Sequence, residues 1–136
     1  MHNQQPTLED QIMNIGFVGL GIMGAPMAGH LMASGHQIIT CIHKTSAPKT
    51  LIESGLKVVE NAKEVAKNSE IIIVMVPDTP QVQEVLFGQD GIAEGLDNGK
   101  LVIDMSSISP IETKEFANAI KGMGCGYLDA PVSGGE

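Results

Sequence analysis

The residues with the clearest chemical potential are three glycines at a fixed spacing, Gly19, Gly21 and Gly24, in the run Gly19-Leu20-Gly21-Ile22-Met23-Gly24. The run follows an apolar stretch, Ile12 to Val18, and opens into a helix-like pattern. A glycine turn between a buried strand and a helix N-terminus lets the backbone come close to a pyrophosphate. Free N–H groups and the positive end of the helix dipole then hold its charge. In this reading Gly19 makes the tight turn, Gly21 removes the side chain that would meet the phosphates, and Gly24 lets the helix lie close on the strand. The same spacing occurs in ordinary glycine turns. A strand before and a helix after are the context that favours a bound dinucleotide.

The elements that must position this turn follow from the pattern of apolar runs. Pro26 sets the start of this helix no earlier than about Ile22 or Met23, and Gly35 is expected to end it. Gln37 to Ile42 reads as a second strand, Ala47 to Ser54 as a short helix closed by Gly55, and Lys57 to Val59 as a third strand. Asn61 is placed to cap a helix over Ala62 to Lys67. Glu70 to Val76 is the most apolar run, the signature of a central parallel strand, and Pro77 stops it. Helical segments over 81–87 and 91–96 lead to a strand over 100–104. Ser109 then caps a helix with Pro110 at its first position, running to about Lys121 before a last strand, Tyr127 to Asp129. Alternating strands and helices predict an α/β fold, a Rossmann-type doubly wound parallel sheet in a single domain.

In such a sheet ligands bind outside the carboxyl ends of the strands. The residues after each strand are small, polar or rigid: the glycine turn, His43-Lys44-Thr45, Pro77-Asp78-Thr79-Pro80, Ser106-Ser107, and Pro131-Val132-Ser133-Gly134-Gly135. NAD-binding versions of the fold carry an acid about 20 residues beyond the glycines to hold the ribose hydroxyls. Here that position falls at His43, with Lys44, Thr45 and Ser46 behind it, so no carboxylate repels a 2′-phosphate and several groups can donate to one. NADP is therefore expected, with NAD as the alternative.

A chain of 136 residues holds one core. Residues 1–11 are expected to be a flexible N-terminal extension and 12–136 the binding domain. The net charge of -8 argues against nucleic acid and anionic membranes as partners. Residues Met1 to Asp10 carry neither the basic segment nor the apolar block of a signal peptide or membrane anchor, so a cytoplasmic location is expected. Cys41 and Cys125 fit no metal or redox spacing and read as small apolar core residues, and no metal site is expected.

The glycine turn, Met75-Val76-Pro77, Asp104-Met105-Ser106-Ser107-Ile108-Ser109-Pro110 and Asp129-Ala130-Pro131-Val132-Ser133-Gly134-Gly135 occur in the order seen in the β-hydroxyacid dehydrogenases, which the chain resembles from about Ile12 to Glu136. That family includes 3-hydroxyisobutyrate dehydrogenase, 2-hydroxy-3-oxopropionate (tartronate semialdehyde) reductase and the 6-phosphogluconate dehydrogenases. Ser106 to Pro110 and Asp129 to Glu136 look most like the 2-hydroxy-3-oxopropionate reductase branch. The resemblance implies that Gly19, Leu20, Gly21, Ile22, Met23 and Gly24 wrap the pyrophosphate. Met75, Val76 and Pro77 would line the adenosine side, and Ser107 would lie beside the nicotinamide. Ser133, Gly134 and Gly135 would hold the carboxylate of a small substrate, as successive N–H groups of a glycine loop form an anion nest.

In the family a lysine on a later helix transfers the proton, and an all-helical second domain follows. Neither Lys114 nor Lys121 matches that lysine, so no catalytic residue is expected within this chain, and the second domain is expected beyond Glu136. The chain alone is then expected to bind dinucleotide and turn over little, while the full-length protein acts as an oxidoreductase and a homo-oligomer. The rival is a stand-alone dinucleotide sensor or interaction module, which the fold alone permits. The Ser133 to Gly135 loop argues against it, since a sensor needs no carboxylate nest.

Overall fold

A computed structural model describes residues 12–19, 24–41, 49–76, 78–106 and 110–130. The elements run β1 (Asn14–Val18), α1 (Gly24–Ala33), β2 (Gln37–Cys41), α2 (Lys49–Glu53), β3 (Lys57–Val59), α3 (Ala62–Lys67), β4 (Ile71–Val74), α4 (Thr79–Phe87), α5 (Ile92–Gly95), β5 (Leu101–Asp104), α6 (Pro110–Gly122) and β6 (Gly126–Asp129). Six strands form one sheet in the order β3-β2-β1-β4-β5-β6, and every pairing is parallel. This is the doubly wound Rossmann order, whose direction reverses between β1 and β4.

Apolar runs became strands where both faces of the sheet are covered. Ile72 and Val74 of β4 are fully buried, and Ile73 nearly so, between β1 and β5. The termini obey local rules. Asn61 Oδ1 accepts from the Glu64 amide at 3.0 Å to cap α3, a contact of a kind that contributes about 1 kcal/mol. Lys100 Nζ donates to the carbonyls of Ala66 and Lys67, tying the other end of α3 to the start of β5. Gly35, with φ of 98°, closes α1 as its sequence position predicts.

The two faces of the sheet are unequally covered. Ile15 and Phe17 of β1, Ile38 of β2 and Ile73 of β4 pack with Ala28 of α1 and with Leu51 of α2. On the opposite face α3, α4, α5 and α6 supply Val65, Val82, Leu86, Ile92, Phe116 and Ile120 to a larger core with Ile39, Ile72, Val74 and Val102. The face under α1 and α2 continues across Ile71 and Ile103, both only partly buried, to Leu128 of β6, which is 51% exposed. Gly16 sets the approach of α3 to β1: a side chain there would run into Val65 and come within 2.7 Å of Ser69 Oγ. Cys125 is buried in the core as expected, whereas Cys41 is only half-buried, and both are free thiols.

Candidate functional site at the carboxyl edge of the sheet

The reversal of strand order brings the ends of β1 and β4 side by side. Met75 continues the pairing by donating its amide to the Val18 carbonyl at 3.0 Å. Gly19 follows directly, with φ of 92°, a region L side chains rarely enter. A Cβ at Gly19 would be driven into the carbonyl of Met75 and would lie 2.8 Å from Val76 Cγ1. Bare backbone at the end of β1 is thus a steric requirement, and Gly19, Met75 and Val76, three of the expected site residues, meet at the β1–β4 switch point.

Gly24 is buried at the start of α1, and the first turn of that helix carries no acidic side chain. An anion held at this terminus would therefore meet no competing carboxylate from the helix itself. Leu20, Gly21, Ile22, Met23, His43, Lys44, Thr45, Pro77, Ser107, Ser133, Gly134 and Gly135 lie outside the described residues. The strands that precede them, β2, β4, β5 and β6, all end at this edge, at Cys41, Val74, Asp104 and Asp129.

Several polar side chains at the edge serve the fold. Asp78 Oδ1 accepts from the Gln81 amide at 3.1 Å and caps α4, with Pro80 in the first turn behind it. Thr40 is buried and donates from Oγ1 to the Phe17 carbonyl at 2.8 Å, tying β2 to β1. Burial pushes the Cys41 thiol above its ordinary range, so the neutral form persists at neutral pH and no thiolate nucleophile stands at this edge among the described residues. Lys114 and Lys121 are exposed on or at the end of α6, as expected for surface charges.

The sequence reading assigned no role to Asp104 or Tyr127, and the structure joins them. Asp104 is fully buried at the end of β5. Its Oδ1 accepts from the Ser106 amide at 2.9 Å and its Oδ2 from the Tyr127 hydroxyl at 2.6 Å. The Ser106 hydroxyl in turn accepts from the Val76 amide at 2.9 Å. Burial, first, and then the hydrogen bond to Asp104 and the negative charges of Asp104 and Asp129 push the Tyr127 phenol far above its ordinary range. An acid that closes the apolar run Leu-Val-Ile was the available sequence signal.

Residues 14–136 match the family described as the NAD binding domain of 6-phosphogluconate dehydrogenase. The chain is 54% identical over 125 residues to 2-hydroxy-3-oxopropionate reductase of Escherichia coli K12, a match covering 91% of this chain and 42% of the relative. The chain belongs to the β-hydroxyacid dehydrogenase family. Within that family it is the NAD(P)-binding Rossmann part, and the family's members are oxidoreductases. Mouse mitochondrial 3-hydroxyisobutyrate dehydrogenase is 40% identical over 121 residues, covering 89% of this chain and 36% of the relative. The chain thus spans less than half the length of these curated relatives.

Solved structures agree in shape. Mycobacterium tuberculosis 3-hydroxyisobutyrate dehydrogenase with L-serine superposes with a TM-score of 0.80 at 32% identity, over 91% of this chain and 42% of that one. A structure described as Psf3 with NADP+ and 2-OPP has a TM-score of 0.81 at 27% identity, over 89% and 43% of the two chains. An imine reductase variant from Myxococcus stipitatus with NAD+ gives 0.73 at 26%, over 87% and 39%. The bare turn at Gly19 and the uncontested N-terminus of α1 fit a dinucleotide of either kind. Among the described residues no helix is long and apolar enough to cross a membrane, and no three His, Cys, Asp or Glu side chains cluster as metal ligands would.

Proposed function

We propose that this chain is the coenzyme-binding part of an NADP-dependent oxidoreductase acting on a small 3-hydroxyacid or its semialdehyde, of the 2-hydroxy-3-oxopropionate reductase type. The observation that carries this is the seating of Gly19 on the Met75 carbonyl at the β1–β4 switch point, in a chain 54% identical to such a reductase. When bound, the nicotinamide supplies a hydride to the carbonyl carbon of the substrate.

The chain's own residues have distinct parts in this reading. Gly19, Leu20, Gly21, Ile22, Met23 and Gly24 hold the pyrophosphate on backbone N–H groups. His43, Lys44 and Thr45 receive the 2′-phosphate, which makes NADP the preferred coenzyme over NAD. Met75, Val76 and Pro77 line the adenosine side, and Ser107 lies against the nicotinamide. Ser133, Gly134 and Gly135 hold the substrate carboxylate. The M. tuberculosis relative solved with L-serine, itself a small carboxylate, supports a substrate of this class. The lysine that protonates the substrate oxygen belongs to the remainder of a full-length protein, which assembles as a homo-oligomer in the cytoplasm. Residues 12–136 are the binding domain and 1–11 an extension to it.

The test is an assay of the full-length protein with 2-hydroxy-3-oxopropionate, 3-hydroxyisobutyrate and succinic semialdehyde, each with both coenzymes. Turnover of a three-carbon or four-carbon acid, fastest with NADP(H), is expected. Inertness toward all three would remove the assignment of activity while leaving the fold intact.

A further inference from the structure

The amide of Val76 lies just past the end of β4 and has no strand partner; the Ser106 hydroxyl takes its place as acceptor at 2.9 Å. Ser106 is 3% exposed and its own amide is held by Asp104 Oδ1, while Asp104 Oδ2 is held by the Tyr127 hydroxyl. Three hydrogen bonds therefore connect β6, β5 and the segment after β4 in an unbroken line. That line ends at the same Met75–Val76 backbone on which Gly19 is seated with no room for a single additional carbon. Buried backbone donors require a partner, and a loop whose amide loses one relaxes toward water. A shift of a few tenths of an ångström at Val76 would then be passed on to the turn at Gly19.

We propose that Tyr127, Asp104 and Ser106 form a positioning relay that fixes the Met75–Val76 wall of the coenzyme crevice and couples it to the end of β6. None of the three touches the coenzyme in this proposal; they act through Val76 and Gly19. The relay rests on the reading of this edge as a dinucleotide site. It adds to that reading a link between the coenzyme turn and the strand that leads, four residues beyond Asp129, to Ser133.

The experiment compares Ser106→Ala, Ser106→Thr and Tyr127→Phe with a control, Cys125→Ala, in this chain. The control removes a buried contact of Sγ with the Asp97 carbonyl at 2.9 Å, before β5 and away from the crevice. Coenzyme affinity is read by NADPH fluorescence, unfolding by denaturant, and the Val76 amide by hydrogen exchange in the absence of coenzyme. Expected are a five- to twentyfold loss of NADPH affinity and at least tenfold faster exchange at Val76 in Ser106→Ala, with a smaller shift of the same kind in Tyr127→Phe. Ser106→Thr, which keeps the hydroxyl, should stay within threefold of the parent chain, and Cys125→Ala should lose stability without losing affinity.

Unchanged exchange at Val76 in both Ser106→Ala and Tyr127→Phe would overturn the relay, as would an equal loss of affinity in Cys125→Ala. If the parent chain binds neither coenzyme, the reading of the site fails instead, and the exchange at Val76 decides the relay on its own.

Discussion

The hydroxyl of Tyr127 meets Asp104 Oδ2 at 2.6 Å in a place where Asp104 is wholly shielded from solvent. Tyr127 is the single tyrosine of the chain, and there is no tryptophan, so its ionisation can be followed directly by near-ultraviolet absorbance. Burial and the neighbouring carboxylates raise its folded-state value above the ordinary one of about 10. The unfolded chain releases this proton first, so stability contributed by protonated Tyr127 is complete below about pH 10 and declines as pH rises toward the folded value. Tyrosinate absorbance should therefore appear near its ordinary pH in denaturant and only at unfolding in the native chain. Native titration near pH 10 would contradict the arrangement.

Replacing Gly19 by alanine should be costly on two counts. The residue holds φ of 92° and its added carbon would enter the space of the Met75 carbonyl. Strain of this kind is of order 1–3 kcal/mol. A drop of at least that size in unfolding free energy, with coenzyme affinity down more than tenfold, is the expected outcome of denaturant and binding titrations. A Gly19→Ala variant with parental affinity would contradict the seating of the turn.

Ser69 offers the opposite case. Its buried hydroxyl has no hydrogen-bond partner among the described residues and lies over Gly16. Removing an unsatisfied buried hydroxyl relieves a desolvation cost of about 1–3 kcal/mol, partly offset by the small void left behind. Ser69→Ala should be neutral or more stable by about 1 kcal/mol in chemical denaturation. A loss of more than that would mean the hydroxyl has a partner in solution.

In the proposed function Lys44 meets the 2′-phosphate of the coenzyme. Lys44→Glu should raise the Kd for NADP about tenfold or more, about 1.4 kcal/mol, and leave that for NAD within twofold. Equal effects on both coenzymes would show that Lys44 does not meet the 2′-phosphate.

How far the residues alone led is clearest at particular positions. The apolar run Glu70 to Val76 announced a central strand, observed over Ile71–Val74, because a strand covered on both faces must be apolar throughout, and Asn61 announced the start of α3 because a side-chain oxygen there meets an otherwise unpaired amide. The tight turn at Gly19 was legible because a glycine directly after an apolar strand can take the positive φ found there. Asp104 was not: its meaning depends on the register that sets Val102 beside Tyr127 and Asp104 beside Asp129, and register is a long-range property. The crowding of four helices on one face was equally hidden, since the pattern of a helix shows that it has an apolar side but not which face of a sheet that side will meet.

The most direct test of the central claim is a titration of the isotopically labelled chain with NADP, following the backbone amides of Gly19, Gly21 and Gly24. Saturable shifts at all three, reproduced by NAD at higher concentration, are the result expected of a pyrophosphate resting on that turn. Amides that stay unmoved at saturating coenzyme would contradict it.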